Sequence, residues 1–287
     1  PARASTETRR SSSIVHRTLW RVDTVPWDAE AYDQHALPHV RWGLETLKRL
    51  CLSGTETVLD FGCGTGRDVA RLLDALPHGR VIAVDGSPVM LARLRQRLAH
   101  RLDRVEIIQA DLRRPLPVAT PVDAVMSVAT LHWLPDHATV FSHIAAVLRP
   151  GGRFVAEAGG AGNLAAVLAA VARARPDLAH LTAPARQRRT FAGVDETIRN
   201  LTAAGFVKIE AELAADPMPV PAETFEDVLA SIVLVPELSA LPVAERPGFL
   251  RAVAAEIGEP VVDWVRLRLA ATRGSPDAIP GHPAVSI

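Results

Sequence analysis

Cysteine is nearly absent from this 287-residue chain, with Cys51 and Cys63 its only two. Two thiols cannot build a disulfide framework; the usage fits a reducing compartment, and a cytoplasmic location is expected. Net charge is absent too, with 32 basic and 32 acidic residues, which argues against nucleic acid as the main partner. Lysine is reduced to Lys48 and Lys208, and the rest of the basic complement is arginine. With the surplus of alanine and proline, this bias reads as genome composition. No apolar run approaches membrane-spanning length and no leader segment is evident, so no membrane partner is expected. Internal repeats and a metal-ligand set are also lacking. Apolar residues, in contrast, make up 48% of the chain, enough for a sizeable core, and the oligomeric state stays open, a homo-oligomer included.

Residues 57–66, Thr-Val-Leu-Asp-Phe-Gly-Cys-Gly-Thr-Gly, carry the most information. The first five suit a buried strand. Gly62, Gly64 and Gly66 follow, and residues 68–76 then place apolar side chains at helical spacing. A strand, a glycine turn and a helix start in that order make a small-molecule cradle. Missing Cβ atoms let backbone approach a ligand, and the helix start offers free N–H groups.

Around this motif, strands and helices alternate. Residues 1–24 read as a loose arm, rich in arginine and serine. A helix is expected over 28–51. Further strands are expected at 81–84, 105–108, 123–128 and 153–157. Ser87 caps a helix with Pro88 in its first turn, and another helix runs over 137–148 to the stop signal at 149–152. The alternation predicts an α/β fold, a Rossmann-like, mostly parallel seven-stranded sheet with helices on both faces and ligands at the carboxyl ends of its strands. Helices at 164–174 and 194–204 and a strand at 206–213 extend the core, which is drawn over 25–215. Residues 216–260 carry helical patterns broken by prolines and form an inserted helical lid in this reading. The last core strand, within 261–273, alternates Val265, Leu267 and Leu269 against Trp264, Arg266 and Arg268. It is expected to be half-exposed and antiparallel beside the sixth strand, and 274–287 form a tail.

A dinucleotide site is one rival. Its fingerprint needs a small residue three places after the second glycine, where Arg67 stands here. Asp85, at the end of the second strand, does not discriminate, because its carboxylate can accept two vicinal ribose hydroxyls in either ligand. Asp60 and Asp111 add further carboxylates that suit a cationic adenosine compound.

Residues 58–66, 84–91, 110–112 and 148–152 together resemble the class I S-adenosylmethionine (SAM) dependent methyltransferases. Residues 129–137 and 27–33 are similar to those of the trans-aconitate methyltransferase-like small-molecule group. The resemblance covers about residues 25–273. It implies SAM as cofactor, S-adenosylhomocysteine as product and a small-molecule methyl acceptor. By the same resemblance the cofactor site comprises Asp60, Gly62, Cys63, Gly64, Asp85, Gly86, Ser87, Met90, Ala110, Asp111, Leu112 and Ala129. The Ala129 carbonyl would face the ligand's amino group, and Tyr32 would close over the sulfonium.

His132 and His35 are the candidate bases, set against the commoner fate of packed or solvated histidines. Asp85 as a helix cap, Asp111 as a loop residue, Cys63 as a passive thiol and Tyr32 as a packing anchor are the plainer readings. Glu157 serves equally as a substrate contact or a structural hydrogen-bond partner. Residues 127–132 lack the Asn-Pro-Pro-Tyr type of sequence found in methyltransferases acting on adenine or glutamine amino groups. A small-molecule acceptor is therefore favoured, apolar, natural-product-like or a carboxylate, and a methyltransferase enzyme is expected, with an NAD(P)-dependent oxidoreductase and a SAM-binding regulator without turnover as alternatives.

Overall fold

The computed structural model describes residues 27–34, 37–186 and 188–275. The expected arm and most of the expected tail lie outside these residues, as does His35.

Alternation along the strands sorts the core into two layers. On β1 (Thr57–Phe61) and β2 (Arg80–Asp85), Val58, Val81 and Ala83 pack on one face of the sheet, while Leu59, Phe61, Ile82 and Val84 pack on the other, as the two-residue period of a strand requires. With β3 (Val105–Gln109), β4 (Val122–Val128) and β5 (Leu148–Gly159) these strands are parallel. β6 (Phe206–Ala215) and β9 (Val265–Arg273) complete a seven-stranded sheet in the order β3-β2-β1-β4-β5-β9-β6, with β9 antiparallel to both neighbours. This is the α/β Rossmann-like sheet with one reversed strand that the sequence predicted.

The single helix expected at the start is two, α1 (Ala29–Gln34) and α2 (Leu37–Arg49). α3 (Arg67–Ala75) and α4 (Pro88–Arg97) follow β1 and β2. α5 (His137–Val147) leads directly into β5. α6 (Ala165–Ala174), α7 (Ala179–Arg186) and α8 (Val194–Ala203) follow.

Between β6 and β9 the chain departs from the sheet. β7 (Met218–Pro219) and β8 (Val261–Val262) pair at the base of this excursion, a ribbon the proline-rich pattern did not reveal. Above it lie α9 (Phe225–Val228), a π-helical turn over Leu229–Val233, α10 (Val235–Ala240) and α11 (Arg246–Ile257). Phe225, Leu229, Phe249, Val253 and Val262 form a core of their own with α6 and with Trp42 and Trp264.

β9 differs from expectation in one respect. It is an interior strand and not half-exposed: Arg266 is 1% exposed and Trp264 6%. The supposed polar face is buried because the Arg266 guanidinium lies 3.6 Å from the centroid of the Trp42 ring and pairs with Glu157 on β5 at 3.4 Å.

Candidate functional site

The carboxyl ends of the parallel strands open into a cavity of about 490 Å³. One end is built by the glycine turn. Gly62, Gly64 and Gly66 all have positive φ, at 82°, 51° and 77°, but each is required for a different reason. A Cβ on Gly62 would collide with Thr130, and one on Gly66 with Leu94. A Cβ on Gly64 would meet no atom within 4 Å, so this glycine keeps space open inside the cavity.

Asp85 fixes the turn. Its Oδ2 accepts from the Gly64 N–H at 2.9 Å and its Oδ1 from the Ser87 N–H at 2.8 Å. Each oxygen retains a lone pair for a ligand hydroxyl. Burial raises the carboxyl above its ordinary value despite these donors. The Ser87 side chain accepts from Met90 N–H and caps α4. Gly86, Met90, Asp111 and Leu112 line the same end. Arg113 grips both oxygens of Asp111 at 2.8 Å and holds its carboxyl below the usual range.

Ala129 has φ 55° and donates its N–H to the Glu157 carbonyl at 2.7 Å. A non-glycine residue in this left-handed region is strained, and such strain clusters at functional sites. The residue lines the cavity beside Thr130.

Three expected cofactor residues stand back from the cavity lining. Cys63 and Ala110 belong to the two hydrophobic layers, and burial pushes the Cys63 thiol up, so it is an inert thiol. Asp60 is 2% exposed, with Oδ2 lacking a hydrogen-bond partner among the described residues. Burial, then Asp68 and Asp85, drive its carboxyl well above the ordinary value.

The other end of the cavity is aromatic and cationic. Trp133, Trp27, Tyr32, His39, Trp42 and Trp264 form a chain of rings with successive centroids 4.9 to 5.6 Å apart. Tyr32 lines the cavity as expected, but burial raises its hydroxyl, so it remains a neutral phenol. His132 also lines the cavity. The Gly159 N–H donates to its Nδ1 at 3.2 Å, which leaves the ring proton on Nε2. Burial, then Arg266 and Arg189, hold its pKa well below the ordinary value. In that tautomer Nε2 is a hydrogen-bond donor and Nδ1 is already engaged by the Gly159 N–H.

Sequence reasoning did not single out His39, and it placed Arg266 on an exposed strand face. Burial, and then Arg266, lower His39 to about 3. Arg189 makes a buried two-pronged pair with Glu237 at 2.6 and 2.9 Å, and donates to the Val233 carbonyl at 2.6 Å. Glu157 is committed to Arg266 and Arg268, which decides for its structural reading.

A family model described as a methyltransferase domain matches residues 58–152. A trans-aconitate 2-methyltransferase of Acidovorax sp. is 30% identical over 239 residues, 81% of this chain and 89% of that protein. The chain belongs to the class I SAM-dependent methyltransferases. A second trans-aconitate 2-methyltransferase, from Azoarcus sp., is 42% identical over 126 residues, 44% of this chain and 48% of that protein. That match therefore spans about half of the relative's length. Among solved structures, the Haemonchus contortus phosphoethanolamine N-methyltransferase 2 complex with S-adenosylhomocysteine aligns with a TM-score of 0.58 at 18% identity, covering 86% of this chain and 57% of that one. Geranyl diphosphate C-methyltransferase from Streptomyces coelicolor aligns with a TM-score of 0.52 at 16% identity, covering 82% and 76%. These two establish the fold alone.

The residues present fit this family's cofactor. The space kept by Gly64 admits a ligand close to backbone, the free lone pairs of Asp85 suit a ribose diol, and the cavity continues past Asp111 and Leu112. The nicotinamide alternative gains no support, since the small residue its fingerprint needs is Arg67.

Proposed function

We propose that this methyltransferase acts on a small organic acid and transfers the methyl group to a carboxylate oxygen. The observation that carries the reading is the protonation state of the acceptor end. His132 is neutral with its proton on Nε2, His39 is neutral, and Tyr32 keeps its proton. His132 Nδ1 is already occupied by the Gly159 N–H, and burial makes His39 a weaker base than a free histidine and Tyr32 a weaker acid than a free phenol. A hydroxyl, an ammonium or a carbon acid usually needs a base, whereas a carboxylate is already a nucleophile. The trans-aconitate 2-methyltransferase relatives point the same way.

In this reading Gly62, Gly64, Ala129 and Thr130 hold the methionine portion, Asp85 the ribose, and Asp111 with Leu112 the adenine. SAM supplies a methyl group already activated on a sulfonium. The chain's task is orientation and exclusion of water, and placement of this kind supplies much of the rate. The rings of Trp27, Tyr32 and Trp133 wall the cavity from one side, and Ile232 and Val233 of the inserted segment border it from another. That segment, drawn at 216–260, serves as the lid over the acceptor.

Two measurements test the reading. Calorimetry should show SAM and S-adenosylhomocysteine binding, no NAD binding, and a loss of about tenfold or more in affinity for Asp85→Ala, which removes a charged acceptor. Transfer of labelled methyl from SAM to a panel of organic acids should give products that mild alkali hydrolyses, as methyl esters do. Alkali-stable products would overturn carboxylate methylation, and no transfer at saturating SAM would favour a binding protein without turnover.

A further inference from the structure

Three buried polar atoms without partners belong to residues that line the cavity. Arg266 Nη2 and Trp264 Nε1 are both buried with no hydrogen-bond partner among the described residues, and so is His39 Nδ1. All three residues line the cavity. Native interiors rarely leave such groups unmet, because each forfeits its hydration without recompense. Trp264 and Arg266, two residues apart, each lie against Trp42, whose ring is 5.4 Å from Trp264 and 3.6 Å from the Arg266 guanidinium. Trp42 is itself pinned, because its Nε1 donates to Asp216 at 2.7 Å. The two unmet donors thus sit on a rigid, pre-oriented platform.

The other cations at the cavity are different. Arg189 is saturated by Glu237 and the Val233 carbonyl, and Arg113 holds Asp111. Arg188 is exposed. Glu157 is shared between Arg266, at 3.4 Å, and Arg268, at 3.6 Å, so Arg266 is incompletely matched by its own counter-ion. Phe191, Leu164, Ile232 and Val233 supply apolar surface in the same cavity.

We propose that Arg266 and Trp264 form an anchor for one carboxylate of an acceptor whose remaining body is apolar. The proposal rests on the carboxylate-methylating reading above and narrows it. Two N–H donors match the two oxygens of one carboxylate. A tricarboxylate of the kind named for the relatives would bring further charges into a cavity whose other cations, Arg188 aside, are already paired with carboxylates. Esterification removes the charge that the anchor holds, so the product loses its principal polar attachment and leaves.

The test is calorimetry on the S-adenosylhomocysteine-loaded protein with three probes: 3-phenylpropanoate, its neutral amide and trans-aconitate. The acid should bind at least tenfold more tightly than either of the others. Arg266→Met should abolish that preference, Arg266→Lys should restore part of it, and Trp264→Phe should weaken the acid while sparing the amide. Equal binding of acid and amide, or tighter binding of trans-aconitate, overturns the anchor even though S-adenosylhomocysteine still binds. Should the Arg266 variants not fold, the three-probe comparison on the unaltered protein decides alone. Failure of S-adenosylhomocysteine to bind the unaltered protein removes the underlying reading, and the anchor with it.

Discussion

The Gly159 backbone N–H donates to His132 Nδ1 across 3.2 Å. That bond ties β5 to the loop after β4 and fixes which nitrogen of the ring carries the proton. Nitrogen-detected NMR should report His132 as a neutral Nε2–H imidazole from about pH 8 to about pH 5.5, where an ordinary histidine changes charge. Titration near the ordinary value would favour it as a base.

His39 carries a related prediction for stability. Its folded-state pKa is about 3, against roughly 6.5 in an unfolded chain. Between those values the unfolded state binds more protons, so stability rises with pH across the window and is lost as pH falls below about 6.5. The slope from this group is at most about 1.4 kcal/mol per pH unit. Urea unfolding at about pH 7 and pH 5 should show His39→Phe losing less stability on acidification than the unaltered protein. An identical loss would mean that His39 is charged in the fold.

The two glycines that frame the turn should separate fold from binding. Gly62→Ala forces a Cβ onto Thr130 at φ 82°, and a stability loss of about 1–3 kcal/mol is expected. Gly64→Ala meets no protein atom within 4 Å at φ 51°, so its cost to the fold is about 1 kcal/mol. It fills ligand space, and S-adenosylhomocysteine affinity should fall about tenfold or more. Thermal melts and calorimetry on both variants check the contrast, and equal effects on both readouts would contradict it.

Asp33 should control access to the cofactor end. Its carboxylate accepts from Thr65 at 2.7 Å, Arg67 at 2.9 Å, Arg93 at 2.9 Å and Arg97 at 2.6 Å. These partners come from the glycine turn and from α3 and α4, while α1 brings Tyr32 to the cavity wall. Asp33→Asn keeps the shape and removes the charge, so the dissociation rate of S-adenosylhomocysteine should rise several-fold in stopped-flow measurements. An unchanged rate would show that α1 does not gate exchange.

The glycine-turn end of the cavity was legible in the sequence because its parts are local. A strand, three glycines and a helix start within one stretch of chain, and Asp85, Asp111 and Ala129 each close a strand that periodicity reveals. Asp60 and Cys63 were harder to place, because a strand-and-turn motif names the residues near a ligand without saying which way each side chain turns. The aromatic end was only partly legible: Tyr32 and His132 were named and line it, while Trp42 and Arg266 come from segments far apart in the chain. Arg266 was assigned to a half-exposed face on alternation alone. The tryptophan beside it on that face was the available signal, as a bulky ring on a nominally polar side marks the side as covered.

β9 enters the sheet between β5 and β6, so Arg266 meets Glu157 across 109 positions of chain. The strands that carry the glycine turn precede in the chain the segment that completes the other half of the cavity. Contacts of such long range form slowly. The wall that Trp264 and Arg266 form therefore cannot close until β9 has found its place between β5 and β6.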